Sequence, residues 1–103
     1  MISLERKIVG VHTMLTSAAL PHAFGGALAL AFYTGEPRGT RDIDVNIFLP
    51  ASEIDVVRSA FAKRIAFTDS QVVDAVANDQ VRVFWEDTPI DVFFNVKIGR
   101  AHV

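Results

Sequence analysis

Asp42-Ile43-Asp44-Val45-Asn46-Ile47-Phe48-Leu49 alternates a carboxylate or amide with an aliphatic side chain over its first six positions. A period of two belongs to a β-strand, because successive side chains leave a pleated backbone on opposite faces. Ile43, Val45 and Ile47 therefore take the core face. Asp42, Asp44 and Asn46 share the other face, so the strand carries two acids that point the same way.

Toward the C-terminus, Pro50 closes the strand, and Ser52 with Asp55 reads as a capping box opening a helix to about Arg64. Ile54, Val57 and Phe61 face inward on that helix and Arg58 faces solvent. Ile65-Ala66-Phe67 reads as a short strand, and Ser70 to Asn78, with Val72, Val73 and Val76, as a short helix. Val81 to Glu86 and Ile90 to Asn95 are rich in β-branched and aromatic residues. Asp87-Thr88-Pro89 between them predicts a hairpin turn. Ile90, Val92 and Phe94 then share one face, while Asp91 and Phe93 share the other.

Toward the N-terminus, Gly35, Pro37 and Gly39 make residues 34–41 an irregular loop that carries Arg38, Thr40 and Arg41 up to the acids. Ala27 to Tyr33 is an alanine- and leucine-rich helical run. His22-Ala23-Phe24 is a short strand, so Gly25-Gly26 falls where a strand passes into a helix. Leu4, Ile8, Val11 and Leu15 form the apolar stripe of a helix over residues 2–20, with Pro21 as its stop.

At 103 residues the chain is one domain, and a 50% hydrophobic content is sufficient for a compact core. Ten basic against twelve acidic residues give a net charge of -2, which excludes a global electrostatic footprint for nucleic acid. The absence of cysteine excludes disulfides and thiolate zinc sites, and the N-terminal segment is too polar for a signal sequence or membrane span. These features predict a cytoplasmic protein that does not engage a membrane. His12, His22 and His102 are scattered without metal-ligand spacing. Trp85, Phe84, Phe93 and Phe94 read as hairpin core rather than as a base-stacking platform.

The chemistry rests on the acids. A lone Asp-x-Asp reads first as a solvated strand edge. Here, however, a third acid, Asp91, lies on another, otherwise apolar strand, and like charges brought together cost free energy unless a cation lies between them. Hard oxygen donors without thiolate or clustered imidazole select Mg²⁺ or Mn²⁺. Glycines at a strand-to-helix junction let backbone amides approach a phosphate.

Gly25-Gly26, then Arg38-Gly39-Thr40-Arg41-Asp42-Ile43-Asp44-Val45, then Ile90-Asp91-Val92, taken together and in this order, resemble the polymerase-beta-type nucleotidyltransferase superfamily. Within it, the chain is most similar to small prokaryotic nucleotidyltransferases of the abortive-infection toxin kind. The resemblance implies an α+β fold with α/β-like character, in which a short mixed sheet carries the acids and helices pack on one face. It implies that Asp42, Asp44 and Asp91 are catalytic and hold two Mg²⁺ ions, with Mn²⁺ as a substitute. Gly25 and Gly26 would hold the β- and γ-phosphates of an NTP, with Arg38, Thr40 and Arg41 as further phosphate contacts. Many members have Gly-Ser where this chain has Gly-Gly, so the phosphate grip here falls more heavily on backbone and neighbours.

The implied activity is transfer of a nucleoside monophosphate to a hydroxyl of RNA such as tRNA, of protein or of a small molecule. An antitoxin protein is the implied partner. A second reading stays open, in which a degenerate nucleotidyltransferase fold only binds nucleotide or a partner. The family also implies helices beyond the third acid, which makes residues 1–96 the N-terminal portion of a catalytic domain. Lys97 to Val103 is what AAG ATC GGA AGA GCA CAC GTC encodes, a string resembling a sequencing adapter. These last residues therefore read as a non-native tail, and the genomic locus is expected to continue differently after Val96.

Overall fold

A computed structural model describes residues 2–25 and 42–96. Its described elements are α1 (Leu4–Ser17), β1 (His22–Phe24), β2 (Ile43–Ile47), a 3-10 turn (Ala51–Glu53), α2 (Ile54–Phe61), α3 (Asp69–Asn78), β3 (Gln80–Trp85) and β4 (Thr88–Phe94). They make a small α+β domain with a mixed four-stranded sheet of order β1-β2-β4-β3. β2 runs parallel to β4, and β1 and β3 flank them antiparallel. The expected helix over Ala27 to Tyr33 lies outside the described residues, as do Gly26, Arg38, Thr40, Arg41 and His102.

Alternation in the strands decides the layers. Ile43, Val45 and Ile47 of β2, Val81, Val83 and Trp85 of β3, and Ile90, Val92 and Phe94 of β4 are all buried on one face. Ile8, Val11 and Leu15 of α1 and Ile54, Val57 and Phe61 of α2 close over that face in a single apolar cluster. Full burial of each such aliphatic side chain stabilises by about 1.5–3 kcal/mol, so the cluster holds the helices against the sheet. α3 joins it through Ala75, with Val72 partly buried.

Several local features depart from the sequence expectations. α1 stops at Ser17, before Pro21 is reached. Ala19 is left-handed (φ 58°), and the amides of Leu20 and Ala19 donate to the carbonyls of Leu15 and Thr16 at 2.9 Å each, a Schellman termination built on alanine. Ser52 and Asp55 form no capping box, because a 3-10 turn precedes α2 and its N-cap residue makes no side-chain bond. A capping box does open α3, where Thr68 and Gln71 exchange side-chain and backbone bonds. Ile65 and Phe67 are buried around exposed Ala66, but the segment is not a strand. It lies between two helices and has no strand neighbour, so its alternation reflects burial alone. On α3 the apolar contact falls to Ala75, and Val73 and Val76 face outward.

The hairpin turn is Glu86-Asp87 rather than Asp87-Thr88-Pro89, and Thr88 and Pro89 already belong to β4, paired with Trp85 and Phe84. Glu86 is left-handed (φ 56°), a conformation that costs free energy for a residue with a Cβ. Lys7 offsets that cost. The residue is 1% exposed, and its ammonium reaches the carboxylates of Glu86 (3.1 Å) and Asp87 (3.8 Å) and the hydroxyl of Thr88 (2.7 Å). Glu86 also accepts from the amide of Ile2 at 3.2 Å. A buried cation on α1 thus holds the turn that sets the register between β3 and β4.

Candidate functional site

The two central strands bring the acids together. Asp44 of β2 and Asp91 of β4 are directly paired in the parallel register, one strand spacing apart, and both point away from the core. Asp42 lies two residues before Asp44, at the mouth of β2. On the far side of β4, Arg82 of β3 is paired with Asp91. The exposed face therefore carries a row, Asp44, Asp91, Arg82, with Asp42 beside it.

Arg82 binds this row as a fork. Its Nε donates to Asp91 Oδ1 at 2.7 Å and its Nη2 to Asp91 Oδ2 at 2.9 Å, a bidentate pair, while Nη2 also reaches Asp42 Oδ2 at 3.2 Å. Two of the three carboxylates thus share one guanidinium. Asp44 bears the imbalance. Partial burial, then the negative charges of Asp91 and Asp42, and a hydrogen bond with Asp91 raise its pKa above the ordinary aspartate value, against the smaller opposing pull of Arg82. The same carboxylates, Asp91 first, hold the Arg82 guanidinium more firmly protonated than usual.

Gly25 completes the arrangement from β1. Its amide donates to the carbonyl of Asp44 at 2.8 Å, extending the ladder between β1 and β2 past Phe24. A Cβ on Gly25 would lie 2.9 Å from the Cβ of Asp44, closer than real side chains pack. Only glycine lets the chain leave β1 over the acid. The first glycine of the pair is thus required at the acid site by close approach. Gly26, Arg38, Thr40 and Arg41, the remaining expected phosphate contacts, lie outside the described residues.

Among the described residues, no three histidine, aspartate or glutamate side chains are already disposed as a metal cage. The donor set nevertheless fits a hard divalent cation. Asp42, Asp44 and Asp91 supply oxygen donors from adjacent positions, and Asp44 is a carboxylate whose charge its neighbours do not neutralise. A groove of about 880 Å³ continues the face beyond Asp91, lined by Arg82, Gln80 and Phe93 from the sheet and by Gln71, Asp74 and Asn78 from α3.

Two arrangements escaped the sequence reading. The first is Arg82. With a turn at Asp87-Thr88-Pro89 it would oppose Phe94, whereas the Glu86-Asp87 turn sets it opposite Asp91, and the alternation of β3 already marks it as facing away from the core. The second is a histidine pair. His12 Nδ1 lies 3.0 Å from His22 Nε2, and His22 Nδ1 donates to the carbonyl of Leu20 at 2.8 Å, with Phe24 packed edge-on against His22. These two histidines are not scattered; the return of the chain from α1 into β1 brings them together.

Comparison with family models, with curated proteins and with solved structures finds no match to this chain. No described helix is long and apolar enough to cross a membrane.

Proposed function

We propose that the chain carries the catalytic face of a Mg²⁺-dependent nucleotidyltransferase, which moves a nucleoside monophosphate from an NTP to a hydroxyl acceptor. The observation that carries this reading is the juxtaposition of Gly25, Asp42, Asp44 and Asp91 at one exposed sheet face, although they come from three separate stretches of the chain. Asp42, Asp44 and Asp91 would hold the cation, which when bound supplies Lewis-acid neutralisation of the triphosphate and of the attacking oxygen. Gly25 lets the backbone pass directly against Asp44, where any Cβ would meet the Cβ of that acid.

In the reaction an acceptor oxygen forms a bond to the α-phosphorus, the bond from that phosphorus to the β-bridging oxygen breaks, and pyrophosphate leaves. Asp91 is the base for the acceptor proton, provided that Arg82 gives up at least one of its oxygens. RNA, protein or a small molecule is the acceptor class, and action as the toxin partner of an antitoxin protein belongs to the same proposal.

Incubation with each labelled NTP, Mg²⁺ and RNA or cell extract tests this. Transfer is expected with the wild type and lost in Asp44→Ala, and transfer that persists in Asp44→Ala refutes the assignment. One observation favours the second reading, a nucleotide-binding module without chemistry: Arg82 occupies both oxygens of Asp91. Nucleotide binding without transfer under all these conditions would select it.

A further inference from the structure

We infer that Arg82 is a built-in counter-cation of the acid site, a positioning residue that holds Asp91 and Asp42 in the absence of a divalent ion and that such an ion must displace. The inference rests on the metal-dependent reading above and adds to it a competition between a side chain of this protein and the metal.

The geometry supports exchange rather than permanent pairing. Arg82 takes both oxygens of Asp91 and one of Asp42, so two of the three carboxylates meet a cation only with the guanidinium on them. Yet the clamp is open to water. The side chains of Arg82 and Asp42 are 52% and 44% exposed, and that of Asp91 is 21% exposed. Ion pairs in such surroundings hold weakly, because solvent screens them and the long side chain loses entropy when pinned. A divalent ion brings twice the charge to the same oxygens.

Arg82 also has somewhere to go. It lines the polar groove beside α3 together with Asp74, Asn78 and Gln80. Asp74 forms no ion pair among the described residues, so the released guanidinium can move along the face without entering the core. The arrangement has a second consequence: it holds like charges together before substrate arrives. Asp42 and Asp91 stay positioned by the fork, and the acid row does not splay open.

The test is titration of the full chain with Mn²⁺, the free ion being read by electron paramagnetic resonance, for wild type, Arg82→Gln and Arg82→Lys. Thermal melts of the same samples verify folding. Arg82→Gln removes the competitor and one positive charge, and is expected to bind Mn²⁺ roughly tenfold more tightly than wild type. Arg82→Lys keeps the charge without the fork and is expected to fall between them. Folded Arg82→Gln that binds Mn²⁺ no more tightly than wild type overturns the role of Arg82 while leaving the metal site intact. If none of the three proteins binds Mn²⁺, with or without an NTP, the metal-dependent reading itself fails and this inference with it.

Discussion

Two cations in this chain gather carboxylates, and they do so in opposite surroundings. Lys7 is sealed beneath the hairpin turn at 1% exposure, with Glu86, Asp87 and Thr88 around its ammonium. Arg82 sits on the open face of the sheet, with Asp91 and Asp42. A sealed cation cannot exchange its partners for solvent or ligand, so it serves the fold. An exposed one holds its partners loosely, and carboxylates held loosely remain available for chemistry. The same pairing of charges is sealed at one end of β3 and open to solvent toward the other.

The comparison is broken most directly by Asp44→Ala, which should lower nucleotidyl transfer by at least about 100-fold while leaving the thermal midpoint equal to or above that of wild type. Asp44 is a partly buried carboxylate beside two like charges, and deleting it relieves that repulsion. A large fall in the midpoint would make it structural and erase the distinction. Lys7→Ala is the matching change at the sealed end. It removes a buried stem and three polar contacts, and urea unfolding should show a loss of about 3 kcal/mol. Little or no loss would place Lys7 with the exposed surface pairs.

A smaller effect sharpens the same end of the molecule. Trp85, the last residue before the turn, lies over Gly10 of α1, where an added Cβ would come 2.5 Å from the indole. Alanine would ordinarily stabilise a helix interior by about 1 kcal/mol, but overpacking against a buried ring costs about 1–3 kcal/mol. Gly10→Ala should therefore destabilise by about 1 kcal/mol in the same urea assay. Stabilisation would show that the ring yields.

The smallest effect is a pH dependence. The hydrogen bond from Lys7 and the amide of Ile2 lower the Glu86 pKa below its ordinary 4.5. A carboxylate whose folded pKa is depressed contributes stability that is present above the unfolded value and is lost as pH falls through the folded one. The wild type should therefore lose stability relative to Glu86→Gln below about pH 4.5, and parallel pH profiles for the two proteins would remove the Glu86 contribution.

Much of the architecture was legible because alternation is a local property. Ile43, Val45 and Ile47, or Ile90, Val92 and Phe94, face inward simply because neighbours in a strand point opposite ways, and all six are buried. The same alternation sent Asp44 and Asp91 to the other face. The turn was not legible. Asp87-Thr88-Pro89 has turn-forming composition, but the turn falls one residue earlier, at Glu86, which no local preference would make left-handed. Lys7, some eighty positions away, decides it, and a lysine on a helix ordinarily reads as solvated. An error in the turn is an error in register, which is why Arg82 went unseen as the partner of Asp91.

His12 and His22 escaped for a related reason. Their approach depends on how α1 terminates and turns back into β1, and the left-handed alanine that ends it, Ala19, carries no glycine signal. Gly25 was the reverse case. Its presence beside the acids was visible in the chain, but its purpose, passing within 2.9 Å of where a side chain would meet Asp44, was not.

Side-chain period and composition were therefore sufficient to specify the inward faces of β2, β3 and β4 and the acids on the outward face, since each depends on residues within a few positions of one another. Which acids become neighbours, which cation neutralises them, and where the hairpin reverses depend on strand order and register. Those were decided by the parallel pairing of β2 with β4 and by a buried ammonium on α1, contacts between segments that no local pattern relates.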